Sequence, residues 1–285
     1  MQVWMNGSFY DQDKAVIPVT DRGFLLGDGF FETMRAHNGT IAWLPSHIER
    51  LGYHADVVNF PTDFLPSAEK VASIVQTLVT DVRTEDAVVR LTVSRGSGER
   101  GLLPPSSCSP TILITVAPFV PVDHNLGLSL CTSQKIRRNV WSVAGSIKSL
   151  NYLDNIAAKQ EVTGYGGDDA LILSADGDVA ETSVANIFGI QGDTLWTPDK
   201  GTAILCGIAR SYVLKWAKES GVSVNFSSKQ PGMLRDFDAV FTANALQGLR
   251  AVDKVDGEDV GVPANTLFIE LARKVELSLC NGIII

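Results

Sequence analysis

Gly145-Ser146-Ile147-Lys148-Ser149-Leu150-Asn151-Tyr152 places one lysine between small and apolar residues, immediately ahead of a helical pattern. Lys148 follows Val143, Ala144 and Ile147 and precedes Leu150, with no carboxylate nearer in sequence than Asp154. Such a lysine is a candidate for partial burial, which disfavours the ammonium and frees the amine for Schiff-base chemistry. A lone lysine near a strand end is more often a solvated surface residue, so its meaning depends on the chain around it.

Downstream, the spacing of Leu153, Ile156, Ala157 and Gln160 predicts a helix from Tyr152 to Thr163, broken by Gly164 and Gly166-Gly167. Two strands, Ala170 to Leu173 and Val179 to Thr182, follow around an Asp176-Gly177 turn. Upstream, a strand from Leu128 to Thr132 leads to Lys148 past Lys135, Arg137, Arg138 and Asn139. Before it, Ala117-Pro118-Phe119-Val120-Pro121-Val122-Asp123 carries two prolines and little periodicity. This reads as a link, dividing the chain into 1–117, a linker at 118–123, and 124–285.

The first division opens as a hairpin, Val3-Trp4-Met5 and Ser8-Phe9-Tyr10 about Asn6-Gly7, and continues with an extended run from Gly27 to Ala36. Leu44 to Leu51 has proline in its first turn and reads as a helix start, with His47, Arg50, Leu51 and His54 along one side. That side offers a cation to an anion, although a solvated amphipathic helix has the same pattern. A helix over 67–83 and a strand over 87–94 follow. Gly96-Ser97-Gly98-Glu99-Arg100-Gly101 then satisfies a dinucleotide-binding pattern, but Leu102-Leu103-Pro104-Pro105 follows where a helix must open. A pyrophosphate would meet no helix N-terminus there, and the nucleotide reading is rejected. A loop with Arg95 and Arg100 suits a carboxylate better.

At 285 residues, with net charge -8 and 45% hydrophobic residues, the chain has the length for two packed domains and the balance of a soluble protein. The acidity argues against nucleic acid as a partner. Cys108, Cys131, Cys206 and Cys280 are far apart, suggesting neither a disulfide framework nor a zinc site, and a reducing, cytoplasmic setting is expected. His37, His47, His54 and His124 lack a ligand spacing, so no catalytic metal is expected. The opening MQVWMNGSFYDQDK has neither a basic start nor a secretory apolar run, and no stretch has the length of a membrane helix, so neither a signal peptide nor a membrane span is expected.

Taken in order, GDGFFETMRAHNG, HIERL, SIKSLNYLDNIAAKQE, DDALILSADGDVAETSVANIFG and LCGIAR resemble the fold-type IV, or class IV, pyridoxal-phosphate enzymes. That family includes D-amino-acid and branched-chain aminotransferases and aminodeoxychorismate lyase. The resemblance runs from about residue 2 to 260. It implies a mixed α/β fold: a small domain, and a larger one with a barrel-like core, with pyridoxal 5'-phosphate between them. It also implies a homodimer with shared active sites, acting on a small amine or amino acid that carries a carboxylate.

By position, Lys148 matches the lysine that bonds the cofactor and then moves the proton at the substrate carbon. Glu181 matches the carboxylate that pairs with the pyridine nitrogen, with Ser183 and Asn186 in the same segment. Arg50 matches the arginine on the cofactor phosphate. Gly207, Ile208 and Ala209 match the phosphate-binding turn, where backbone amides and the helix dipole favour an anion. Asn244 and Ala245 match a second phosphate-side segment. Ala209 stands where the family turn has threonine, and Ala245 where serine or threonine is common, so weaker cofactor retention is expected.

For the substrate, the resemblance places Phe31, Glu32, Arg95, Arg100 and Tyr152 in the binding set. Phe31-Glu32-Thr33 departs from the Phe-Glu-Gly of branched-chain enzymes. The Arg-x-His trap and early-strand tyrosine of D-amino-acid enzymes are also missing. VSRGSGERG and TANALQGLRAV are similar to the aminodeoxychorismate lyase subgroup, which makes that lyase the preferred expectation. A D-amino-acid or related amine transaminase is the alternative, and an inactive binding protein on the same fold the third. The enteric lyases carry threonine where Glu32 stands, so no role in proton transfer passes to Glu32.

Overall fold

The computed structural model describes residues 1–107, 109–124, 126–261 and 265–281. Cys108 lies outside them. The chain forms two compact units. The first holds Met1–Val120, and the break after Val120 falls inside the 118–123 segment. Ile147–Asn151 and residues 279–281 also group with this unit. The linear division into 1–117 and 124–285 is therefore corrected at the residue that matters most: Lys148 belongs to the first unit, because its segment pairs with a strand there.

In this unit β1 (Gln2–Met5) and β2 (Ser8–Asp11) form the expected hairpin. Both central residues, Asn6 at φ 46° and Gly7 at φ 98°, take the left-handed backbone that a tight primed turn demands. After a short helix α1 (Arg22–Leu26) come β3 (Gly29–His37), β4 (Thr40–Ile41), α2 (Leu44–Val57), α3 (Ala68–Val82), β5 (Asp86–Ser94) and β6 (Thr111–Pro118). The six strands make one antiparallel sheet in the order β2-β1-β6-β5-β3-β4.

Alternation sends Val89, Leu91 and Val93 of β5 and Ile112, Ile114 and Val116 of β6 to one face, where they pack with Val71, Ile74, Val75 and Leu78 of α3. Each such fully buried aliphatic side chain contributes about 2 kcal/mol. On β3 the same face carries Phe30, Met34 and Ala36, and Glu32 interrupts that apolar row.

The second unit contains β7 (Leu128–Arg138), α4 (Val143–Ser146), α5 (Leu153–Thr163), β8 (Asp169–Ser174), β9 (Val179–Thr182), β10 (Asn186–Gln191) and β11 (Thr194–Trp196). It continues with α6 (Ile208–Glu219), β12 (Ser223–Asn225), β13 (Ala239–Asn244), β14 (Gly248–Val255), β15 (Glu258–Asp259) and α7 (Thr266–Asn281), whose last residues, from Leu279, group with the first unit.

Strands β10, β13, β14, β7, β8 and β9 pair in that order, and β9 returns to β10 through Glu181 opposite Asn186. The six strands thus close on themselves, the barrel that the resemblance implied, and closure removes the open edges of the ring. Leu130, Leu171, Val179, Ile187, Val240 and Val252 share one buried cluster. Among the described residues, no helix is long and apolar enough to cross a membrane.

Candidate active site

Lys148 is held by backbone pairing with β3. The Phe31 amide donates to the Lys148 carbonyl at 2.9 Å and the Leu150 amide to the Gly29 carbonyl at 3.0 Å, with Ser149 bridged to Phe30. The lysine side chain is half-buried, and its Nζ lies 4.5 Å from the centre of the Phe31 ring. The Arg90 guanidinium lies 3.7 Å from the centre of the same ring. Arg90 reaches it because Thr33 opposite Arg90, and Phe31 opposite Thr92, put both side chains on one face of the sheet. Sequence reading missed Arg90; its signal was the alternation of apolar and polar residues along Val89-Arg90-Leu91-Thr92-Val93.

Beneath the strand, on the face covered by α2, Glu32 is fully buried. Arg50 donates to it twice, from Nε at 2.8 Å and Nη2 at 2.5 Å, and His47 Nδ1 donates at 2.7 Å. Burial by itself raises the acid's pKa, but the charge and hydrogen bonds of Arg50 and the contact with His47 outweigh it and bring Glu32 down to about 2. The anion that the His47, Arg50 and His54 side meets is thus the protein's own carboxylate. Two guanidinium nitrogens of Arg50, expected on the cofactor phosphate, go to Glu32. One turn further, burial brings His54 down to about 4, and the neutral ring's Nε2 accepts from the Lys148 amide at 3.5 Å. Phe31 and Lys148 are therefore brought together on one side of β3 and Glu32 and Arg50 on the other, and the expectation that Glu32 binds substrate is corrected: its carboxylate is fully buried against Arg50 and His47.

In the second unit Glu181 stands at the closing pair of the barrel. Arg138 Nε lies 2.9 Å from one carboxylate oxygen, and the other accepts from the Leu205 amide at 3.0 Å and from Asn186 Nδ2 at 3.4 Å. Arg138, passed over in the sequence as one of a basic run, is thus the counterion of Glu181. Asn186 Nδ2 also donates to the Leu205 carbonyl at 2.9 Å. Ser183 Oγ donates to Asp169, and Asn155 Nδ2 holds the Ser183 carbonyl at 2.6 Å, which ties down the end of β9.

Gly207 caps the N-terminus of α6 without any side-chain hydrogen bond, and Ile208 and Ala209 open the helix in buried positions. A Cβ on Gly207 would meet Asn186 Oδ1 at 2.1 Å, so the turn has room only for backbone. Asn186 therefore links Glu181 to the Gly207 turn. Asn244 Oδ1 accepts from the Leu246 and Gln247 amides at 3.0 and 2.8 Å, shaping the turn in which half-buried Ala245 sits. Tyr152, half-buried, occupies the N-cap of α5.

The two loop arginines part company. Arg100 is exposed, whereas Arg95 is buried, with Nε 3.0 Å from Asp28 Oδ2 and its other nitrogens on the Asn59 and Val58 carbonyls at 3.2 and 2.8 Å. The expectation that Arg95 binds substrate is corrected: it joins the end of α2 to Asp28. The glycines of the rejected nucleotide motif serve this loop. At Gly96, φ is +79° and a Cβ would fall 1.7 Å from the Ser109 carbonyl oxygen.

A family model described as class IV amino-transferase matches residues 29–255. The chain belongs to the class IV aminotransferase family. Within that family it is similar to a putative branched-chain-amino-acid aminotransferase of Methanocaldococcus jannaschii, 35% identical over 97% of this chain and 94% of that protein. It is also similar to the D-alanine aminotransferase of Bacillus licheniformis, 27% identical over 100% of this chain and 98% of the relative. The solved 4-amino-4-deoxychorismate lyase of Pseudomonas aeruginosa has a TM-score of 0.86 at 26% identity, covering 98% of this chain and 99% of that one.

Class IV aminotransferases are pyridoxal-phosphate enzymes, and the residues present fit that cofactor. The first unit offers a half-buried lysine amine. In the second, the side-chain-free cradle at Gly207 beside an uncapped helix start suits a phosphate, and Glu181 is a nearly buried carboxylate held by the Leu205 amide, Asn186 Nδ2 and the charge of Arg138.

Proposed function

We propose that the protein is a 4-amino-4-deoxychorismate lyase, releasing 4-aminobenzoate and pyruvate. The observation that carries this reading is the placing of the Lys148 amine and the Arg90 guanidinium on one phenylalanine ring, 4.5 and 3.7 Å from its centre. A proton-transferring amine and a cation for a carboxylate stand together on a wall whose aromatic residue, Phe31, has no phenolic hydroxyl, and Arg90 Nε is steadied by the Thr92 hydroxyl at 3.1 Å. That wall suits a flat, carboxylated ring better than a small amino acid gripped by a tyrosine.

Lys148 is the residue that bonds the cofactor. Glu181, held by Arg138, serves the pyridine nitrogen, and the Gly207 turn with Ile208, Ala209 and Arg50 serves the phosphate, with Ser183, Asn186, Asn244 and Ala245 shaping those contacts. Bound pyridoxal phosphate supplies an electron sink for the charge left when a proton departs from the carbon bearing the amine. Lys148 takes that ring proton. The bond from the neighbouring ring carbon to the enolpyruvyl oxygen breaks, the enol gains a proton to become pyruvate, and the ring becomes aromatic. Arg90 and Arg100 orient the substrate carboxylates beside Phe31, and Tyr152 is a further substrate-binding residue.

A second reading, a transaminase for D-amino acids or related amines, draws on the similarity to D-alanine aminotransferase and uses the same lysine. An absorbance record of cofactor-loaded protein on adding D-alanine separates the two. Persistence of the yellow band supports the lyase, and rapid conversion to the pyridoxamine form supports the transaminase. The exposed Phe24 and Leu102 of the first unit, 75% and 85% accessible, are apolar area that a second copy in a homodimer would cover. Light scattering tests that.

A further inference from the structure

Arg22 is 4% exposed, yet it lies in none of the elements to which the proposed chemistry assigns a role. Its guanidinium makes three hydrogen bonds: Nε to Asp28 Oδ2 at 2.8 Å, Nη1 to the Gly101 carbonyl at 2.9 Å, and Nη2 to the Leu102 carbonyl at 2.9 Å. Its own amide donates to the Gly96 carbonyl at 2.8 Å. One residue therefore grips the 96–102 loop at both ends. Between the gripped positions stands exposed Arg100. Gly98 lies against the arginine stem, where a Cβ would be 3.2 Å from Arg22 Cδ.

The other end of the clasp is Asp28, which immediately precedes β3. Arg95 approaches the same carboxylate at 3.0 Å, and its amide donates to the Asp28 carbonyl at 3.0 Å. Three residues further on, β3 carries Phe31 and Glu32. Through Arg22 and Asp28 the loop bearing Arg100 is thus tied to the strand against which Lys148 is paired. A planar guanidinium can serve a carboxylate and two carbonyls at once, while an ammonium cannot reproduce that fork.

We propose that Arg22 is a positioning residue for substrate affinity: it fixes the shape of the 96–102 loop so that Arg100 is presented to the substrate carboxylate. This rests on the reading of Arg100 as a carboxylate-binding group. Arg22 touches no reacting atom, so its loss acts on binding and leaves the proton transfer at Lys148 in place.

The test uses the cofactor-loaded protein as wild type, Arg22→Lys, Arg100→Ala and the double variant. Lysine keeps a cation beside Asp28 but cannot hold both carbonyls. Arg22→Lys is expected to raise KM for aminodeoxychorismate about tenfold with kcat nearly unchanged, and to add nothing once Arg100 is alanine, because residues acting through one another are not additive. Tryptic cleavage after Arg100 is expected to quicken in Arg22→Lys, since it needs the loop to open. Unchanged KM in Arg22→Lys, or effects that add in the double variant, overturns the proposal. Unchanged KM in Arg100→Ala overturns the role assigned to Arg100 and the affinity role of Arg22 with it. Absence of aminodeoxychorismate turnover in the wild type is instead the failure of the lyase reading, and the same four proteins are then compared with D-alanine. Should Arg22→Lys fail to fold, Gly98→Ala, which crowds the Arg22 stem without removing a buried charge, must raise KM and cleavage in the same way or the proposal falls.

Discussion

Arg50 and Glu32 meet through two hydrogen bonds, 2.8 and 2.5 Å long, with the carboxylate fully buried and only 10% of the arginine side chain exposed. Glu32 otherwise sits in an apolar row, so its charge is tolerable only while Arg50 and His47 face it. Glu32→Gln removes that charge and leaves a nearly buried guanidinium under-compensated. A loss of about 3 kcal/mol of unfolding free energy is expected, read by urea denaturation of the cofactor-free protein.

Acid should act on this cluster in two stages. His54, about 4 in the folded protein against an ordinary 6.5, is held neutral by burial, so its contribution is complete above about 6.5 and disappears as pH falls toward 4. His47, also lowered by burial, adds in the same direction. Glu32, about 2 against 4.5, contributes fully above about 4.5 and loses that contribution as pH falls through 2. Thermal stability is therefore expected to fall already between pH 6.5 and 4, and His54→Gln to flatten that part of the curve. An unchanged slope in the variant contradicts the assignment.

Arg138→Met strips Glu181 of the cation 2.9 Å away, leaving a buried carboxylate with amide donors only. Because breaking a buried pair exposes the cost of the remaining charge, a destabilisation of about 3 kcal/mol and weaker cofactor retention are expected. Arg138→Lys should recover part of both. Denaturation and the ratio of bound cofactor after dialysis read the two effects.

At Gly207 the obstacle is steric. Gly207→Ala drives a Cβ toward Asn186 Oδ1, 2.1 Å away in the present geometry, and displaces either the turn or the asparagine. Cofactor affinity is expected to fall about tenfold, the equivalent of 1.4 kcal/mol, measured by fluorescence titration with pyridoxal phosphate.

The sequence made much of this visible. Asn6-Gly7, the proline at the start of α2 and the Asp176-Gly177 turn mark local geometry directly, and the ordered motifs pointed to the family before any contact was known. Less was legible where the answer depended on long-range pairing. Ile147–Asn151 lies beyond the interdomain link, and only its pairing with Gly29 and Phe31 reveals that it belongs to the first unit. Arg95 and Arg100 look alike in sequence, and burial against Asp28 alone distinguishes the structural one from the exposed one. Arg138 was one of several neighbouring cations until Glu181 was placed beside it. The period-two row Phe30, Glu32, Met34, Ala36 did hold a readable clue that Glu32 faces inward and needs a partner.

The proposed lyase activity is measured through its products: cofactor-loaded protein is incubated with 4-amino-4-deoxychorismate, and 4-aminobenzoate and pyruvate are quantified over time beside a Lys148→Ala control. Both products are expected in equal amounts over many turnovers, and none from the control. The lyase activity is contradicted if neither product forms while D-alanine is turned over, or if Lys148→Ala retains the activity.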